Sequence, residues 1–420
     1  MQNKYDLIVA GGGFAGVCAA ISAAREGISV LLIEKSNCLG GAAVNSLVNP
    51  FMPFHTKING KTVSLSMGIF IEIIGELQKL NAIDKKLASF DEEILKYVLN
   101  KMAVSAGVKL LYHSWLCGIR KSNSKIESVS VNNKSGIQEF FADYFIDATG
   151  DADLSVLSGV PYRLGREKDR LCQPMTLCFR LSGVDIDRYK QGYGATSRLY
   201  IKMRENGKIK NPRENILIFP TLHDGILHFN STRVVRLNPV DAFDKTRAEI
   251  EAREQVFELY EFLKKHADGF ENCRLLSTAM EIGVRESRMI DGEYLLTEDD
   301  LKKCTRFEDC IALGNYDVDI HNPEGTGTSH YYFREGEYYD IPYRSLVPLN
   351  ITNLLVAGRC VSATHEAQAS IRILPIVSCI GHAAGVGAAV AFKSSTAARE
   401  ASISKIREIL QKQGAVLTIR

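Results

Sequence analysis

No two of the ten cysteines in this 420-residue chain stand in a C-x-x-C pair. That absence excludes iron–sulfur ligation by close cysteine runs and zinc held by paired knuckles. The thiols read instead as buried and reduced, which suits the cytoplasm. Charge of one sign is also missing, since 51 basic residues against 49 acidic ones leave a net +2. Without a clustered basic face there is no footprint for nucleic acid, and the lysines of Lys202 to Lys210 read as a solvated face. Long apolar runs are scarce. Ile376 to Phe392 alone raises the membrane question, and with His382 and three glycines it falls short of the roughly 20 apolar residues that a span needs. It reads as a helix packed tightly on a sheet. A first strand at Tyr5 leaves no room for a secretory signal, so a cytoplasmic location is expected. Internal repeats and low-complexity segments are absent as well.

What the chain does have starts at that strand. An apolar run from Tyr5 to Ala10 is followed by the turn Gly11-Gly12-Gly13-Phe14-Ala15-Gly16, an Ala-rich helix, and a second run, Val30 to Ile33, closed by Glu34 and Lys35. This order is the dinucleotide-binding βαβ unit. Gly11 permits the tight turn, Gly13 lets backbone approach a pyrophosphate, and Gly16 lets helix and strand pack closely. The diphosphate then lies at a positive helix N-terminus formed by Phe14 and Ala15. Glu34 is placed to accept hydrogen bonds from a ribose. A glycine-rich turn of another α/β protein would lack the second strand and its acid in register.

The unit by itself serves FAD and NAD alike. Later segments separate them: Tyr144 to Gly150 reads as another buried strand, carrying Ala148, Thr149 and Gly150 ahead of Asp151, and Asn353 to Arg359 as a third, ending in Gly358 and Arg359. The small-residue helix follows, opening with Gly381-His382-Ala383. A cofactor gripped at both ends of the chain is long, which favours FAD. No second G-x-G-x-x-G follows a strand, so a separate NAD(P)H domain is not expected.

With these segments in view, the chain resembles the FAD-dependent oxidoreductase family that contains heterodisulfide reductase A-like flavoproteins, and more remotely the fumarate reductase flavoproteins. The similarity runs nearly end to end, through Leu39-Gly40-Gly41-Ala42-Ala43, Ala148 to Asp153, Gly283 to Arg288, Asp319-Ile320-His321, Ile341 to Leu346 and Val356 to Cys360. It implies that Gly11, Gly13, Gly16, Glu34, Gly41, Gly150 and Gly358 hold FAD. His382 stands where relatives usually have glutamine, beside the expected pyrimidine edge of the flavin.

The expected architecture is α/β: a discontinuous Rossmann-like FAD domain from residues 1–160 and 346–420, with an inserted α+β substrate or cap domain at 161–345. A helix beginning near Gly381 would aim its amides at the flavin, and a cationic His382 would add to that field. Arg285 and Arg288 either grip a carboxylate or phosphate in bidentate fashion or pair with Glu286, Asp291 or Glu293 along the domain seam. His321 ends a strand-like alternation and reads as a proton carrier or as a structural histidine. Tyr343 and Arg344 precede the return to the FAD domain, and Arg372 lies between the third strand and the last long helix, facing the flavin or its substrate. Interdomain ion pairing is the alternative for these. Asn322 to His330, rich in Gly, Thr and Ser, reads as an active-site loop. Gly40 to Pro50 offers no histidine for a covalent flavin link, so FAD is expected to be dissociable. The partner is then a small polar substrate, anionic or hydroxylated, or an electron-transfer protein carrying iron–sulfur clusters.

Overall fold

A computed structural model describes residues 3–419. Its centre is a sheet in which Lys109–Leu111, Val30–Ile33, Lys4–Ala10, Gly136–Asp147 and Leu354–Val356 run parallel in that spatial order. The central strands are near-continuous apolar runs because helices cover both faces. The first half of Gly136–Asp147 leaves the parallel array and pairs antiparallel with Lys125–Asn133, which pairs in turn with Trp115–Ser122. This is the meander that alternation around Ile119, Ile126 and Phe140 predicts.

Phe14–Arg25 and Leu374–Ser394 pack against each other on this sheet, and glycine decides how closely. A Cβ at Gly381 would stand 2.0 Å from the carbonyl oxygen of Ala15, and one at Gly385 2.1 Å from that of Ala19. The Ser22 hydroxyl donates to the His382 carbonyl across the contact at 3.0 Å. Leu374–Ser394 is the one helix among the described residues long and apolar enough to cross a membrane, and its apolar window is wholly buried inside the protein. Its composition therefore reflects helix packing.

Asp91 caps the helix Glu92–Ser105 by accepting from the amides of Glu93 and Ile94, as the capping pattern predicts. A second core belongs to the insert. There a four-stranded antiparallel sheet, ordered Ile218–Pro220, Leu227–Phe229, Phe179–Ser182 and Arg274–Thr278, packs with the helices Ile186–Glu205 and Ala242–His266. Phe179 stacks on Phe229 at 4.6 Å in its middle. This core gathers buried residues from Met175 to Ile282. The segment from Ile290 to Ser345, grouped with the insert on sequence, buries Ile311, Ala312, Tyr339 and Ile341 in the first core instead. The reason is local: the strand Cys310–Gly314 packs against Leu374–Ser394 and not against the insert's sheet.

Candidate functional site

The glycine turn is built as the motif requires. Gly11 has φ +100°, and a Cβ there would meet the Ala148 carbonyl oxygen at 2.3 Å. A Cβ on Gly16 would lie 1.8 Å from the Gly11 carbonyl oxygen, so this glycine serves helix packing and stays off the cleft surface. Gly13 differs from both. Its backbone is extended, and a Cβ would find only the Gly41 Cα, at 3.9 Å. Space is thus kept open in front of a helix start that no side chain caps, the arrangement that receives a diphosphate.

Two adjoining pockets extend from this turn. One of about 530 Å³ is lined by Glu34, Lys35, Trp115, Asp151 and residues of the insert around Lys245. The Glu34 carboxylate accepts from the amide of Gly12 at 2.6 Å and from that of Ser36 at 2.8 Å, which fixes it at the end of its strand. Lys35 pairs with Glu281 of the insert at 3.0 Å. The other pocket, about 900 Å³, is lined by Gly11, Gly13, Phe14, Ala15, Gly40, Gly41, Ala42, Ala148, Thr149, Gly150, Asp151, Gly358 and Arg359, with Glu34 and Lys35 shared. Arg359 pairs with Asp151 at 2.7 Å and packs its guanidinium on Gly150. Burial opposes ionisation of Asp151, yet Arg359 and the Ser287 hydroxyl hold its carboxyl down at about 2. Two connected pockets around a glycine turn, an acid and an uncapped helix suit a long dinucleotide.

The far end of the larger pocket is different in kind. Arg213, Arg285, Arg372, Tyr316, Asp319 and His321 line it. Asp319 Oδ2 lies 3.1 Å from the Tyr316 hydroxyl, 3.3 Å from Arg372 and 3.4 Å from His321 Nε2, while Oδ1 has no hydrogen-bond partner. Burial would raise this carboxyl, but the His321 hydrogen bond and the Arg372 charge hold it well below the usual carboxylate range. His321 is pushed well below its ordinary value, first by burial and then by Arg285. The fully buried Arg233 reaches His321 Nδ1 at 3.2 Å. An arginine can only donate, so Nδ1 is the acceptor and the ring proton sits on Nε2, toward Asp319. Arg285 donates to Pro174 O and Thr176 Oγ1, both at 2.6 Å, and to Asn230 Oδ1 at 3.3 Å. That engages three of its five donors. Burial, with Arg372 and Arg213 nearby, lowers its pKa.

Arg285, Arg372 and His321 therefore share one wall with the FAD-binding candidates, whereas Tyr343, Arg344, His382 and Ala383 lie elsewhere. The Tyr343 hydroxyl donates to the Ala398 carbonyl at 3.0 Å inside the core. Arg344 is half exposed, held by Asp309 at 3.0 Å and set over the Tyr294 ring. The helix expected to open near Gly381 starts at Leu374, so His382 and Ala383 lie more than two turns in, about 12 Å along the axis. Leu374 and Ile373, not His382, border the pocket. Arg288 serves the seam, bonding Asp151 O and pairing with Asp153. Sequence reasoning passed over Asp319, Tyr316, Arg213 and Arg233. For Asp319 a signal existed, because residues two apart on a strand share a face and His321 was already a candidate.

His382 Nε2 donates to Gln413 Oε1 at 2.8 Å, and Nδ1 is buried without a partner against Gly68. Burial lowers its pKa to about 4, so the ring is neutral at pH 7 and adds no cationic field. Below about 6.5 the unfolded chain takes up a proton that the folded ring refuses. This contribution to stability is complete above that pH and is lost as pH falls toward 4. His382→Gln is expected to flatten that part of the acid loss and leave the flavin potential unchanged, as checked by denaturant unfolding at pH 5 and 8 with a redox titration.

Among relatives, the chain is 28% identical over 200 residues to digeranylgeranylglycerophospholipid reductase 2 of Methanothermobacter thermautotrophicus, covering 44% of this chain and 48% of that one. It is 24% identical over 196 residues to digeranylgeranylglycerophospholipid reductase 1 of Methanococcoides burtonii, covering 45% and 47%. The chain thus spans about half the length of these relatives. Among solved structures, a triple mutant of the flavin-dependent brominase Bmp2 shares the fold at a TM-score of 0.50 and 12% identity, covering 97% of this chain and 86% of that one. Residues 6–410 match the family model described as FAD dependent oxidoreductase, and to that FAD-dependent family this chain belongs.

Proposed function

We propose that the protein oxidises or reduces a small polar anion by hydride exchange with dissociable FAD. One observation carries this reading: Arg285, Arg372 and the Asp319–His321 pair meet at the end of the cofactor cleft bordered by the N-terminus of Leu374–Ser394. FAD, when bound, supplies the hydride acceptor or donor. Arg285 keeps two donors for a ligand, and Arg372 adds a second guanidinium near it. His321 stays neutral, with its Nε2 proton shared with Asp319; that is the proton a change in substrate charge would draw on. Tyr316, donating to the same carboxylate, orients it. The reductases named above match over only half their length, so the substrate class rests on this cleft alone. Ten free thiols favour the cytoplasm as its location.

Within the family the motifs still resemble the heterodisulfide reductase A-like group, whose role would be electron transfer with an iron–sulfur partner. An anaerobic titration of the FAD-loaded protein with hydroxy acids, keto acids, sugars and NAD(P)H separates the two readings. Bleaching of the oxidised flavin by one hydroxy acid, or reoxidation of the dithionite-reduced flavin by one keto acid, is the expected result. Failure of every compound, with dithionite still reducing the flavin, would overturn it in favour of a protein partner.

A further inference from the structure

The helix Ala242–His266 carries three large apolar side chains that nothing in the protein covers. Phe243 is 84%, Ile250 60% and Phe257 58% exposed. A spacing of seven residues places them on one face, each about 10 Å from the next. The opposite face buries Ala252, Val256, Leu259 and Leu263 in the insert's core. Scattered exposed apolar residues are ordinary, but an aligned stripe marks an interaction surface. This stripe reads the same in both directions, Phe–Ile–Phe, with Ile250 at its centre. The charges beside it have the same property: Arg247 and Glu254 each stand four residues after an apolar position, hence on the same side of the stripe.

We propose that this face joins two copies of the chain, their helices antiparallel about a two-fold axis through Ile250. Ile250 then meets its own copy, and Phe243 packs against the partner's Phe257. Arg247 faces the partner's Glu254, and the axis makes that pairing twice. Such self-complementarity is what an isologous interface requires. The ion pair that Arg247 makes with Asp244 at 2.6 Å is exposed, contributes little, and leaves the guanidinium available to the second copy. One helix face is a small interface, so the dimer is expected to be weak and dependent on concentration.

Sedimentation equilibrium of the FAD-loaded full chain, from low micromolar to submillimolar, tests this. The wild type is expected to pass from monomer to dimer across that range, and Ile250→Glu to raise the dissociation constant by about 30-fold or more. Arg247→Glu and Glu254→Arg are each expected to weaken the dimer. Mixed in equal amounts, these two variants are expected to recover it, since opposite charges then face each other on both sides of the axis. The altered side chains are exposed, so thermal melting of each variant is expected to match that of the wild-type monomer. A wild type that is monomeric throughout, a dimer indifferent to Ile250→Glu, or a mixture that fails to recover association would each overturn the proposal.

Discussion

Gly13→Ala is expected to fold as the wild type does and to purify without colour. The added methyl finds no protein atom nearer than the Gly41 Cα at 3.9 Å, and the residue's φ of −67° is ordinary for alanine. Nothing in the fold resists it. The methyl instead occupies the space at the uncapped start of Phe14–Arg25, where the diphosphate must approach the backbone. Overpacking a close contact costs about 3 kcal/mol at the upper end, which lowers FAD affinity about a hundredfold. Gly16→Ala is the control with the opposite cause, because its Cβ would lie 1.8 Å from the Gly11 carbonyl oxygen and strain the protein itself. Thermal melting of the two apoproteins, with FAD binding followed by fluorescence, distinguishes them. A loss of stability in Gly13→Ala equal to that in Gly16→Ala would show that the open space does not serve the cofactor.

Arg285→Met is expected to keep its flavin and lose its grip on anions. Acetate, oxalate and succinate serve as probes, read by perturbation of the flavin absorbance. A charge-assisted hydrogen bond contributes about 1.5–3 kcal/mol, so probe affinity is expected to fall between about tenfold and a hundredfold. Burial and its arginine neighbours lower the Arg285 pKa, yet a guanidinium keeps its proton throughout the accessible range. Anion binding is therefore expected to persist from pH 7 to pH 9. A variant that binds the probes as tightly as the wild type would remove Arg285 from the anion site.

The cofactor half of the site was legible in the amino-acid order because its requirements are local. A tight turn, a close approach of backbone and a helix start lie within one strand–turn–helix–strand unit, and each dictates a residue type at a fixed offset. Glu34 and the segments ending in Gly150 and Gly358 follow because parallel strands deliver their C-terminal ends to one edge of the sheet. The long helix was legible only in part. Its small residues announced close packing, which Gly381 and Gly385 perform on Ala15 and Ala19, yet its start at Leu374 moved His382 from the flavin into the core.

The substrate end could not be read in this way. Arg213 and Arg233 come from the insert, Arg285 from its return, Asp319 and His321 from a hairpin, and Arg372 from the C-cap of His365–Ile371. No periodicity links them. Tyr343 and Arg344 are near in sequence to the domain crossing, but the first turned its hydroxyl to Ala398 and the second its charge to Asp309. The sequence by itself determined that this chain holds a dinucleotide, since backbone geometry around a diphosphate constrains consecutive residues. Only the tertiary structure decided which charged groups line the far end of the cleft, because packing two separate cores against each other brings together side chains that no local rule relates.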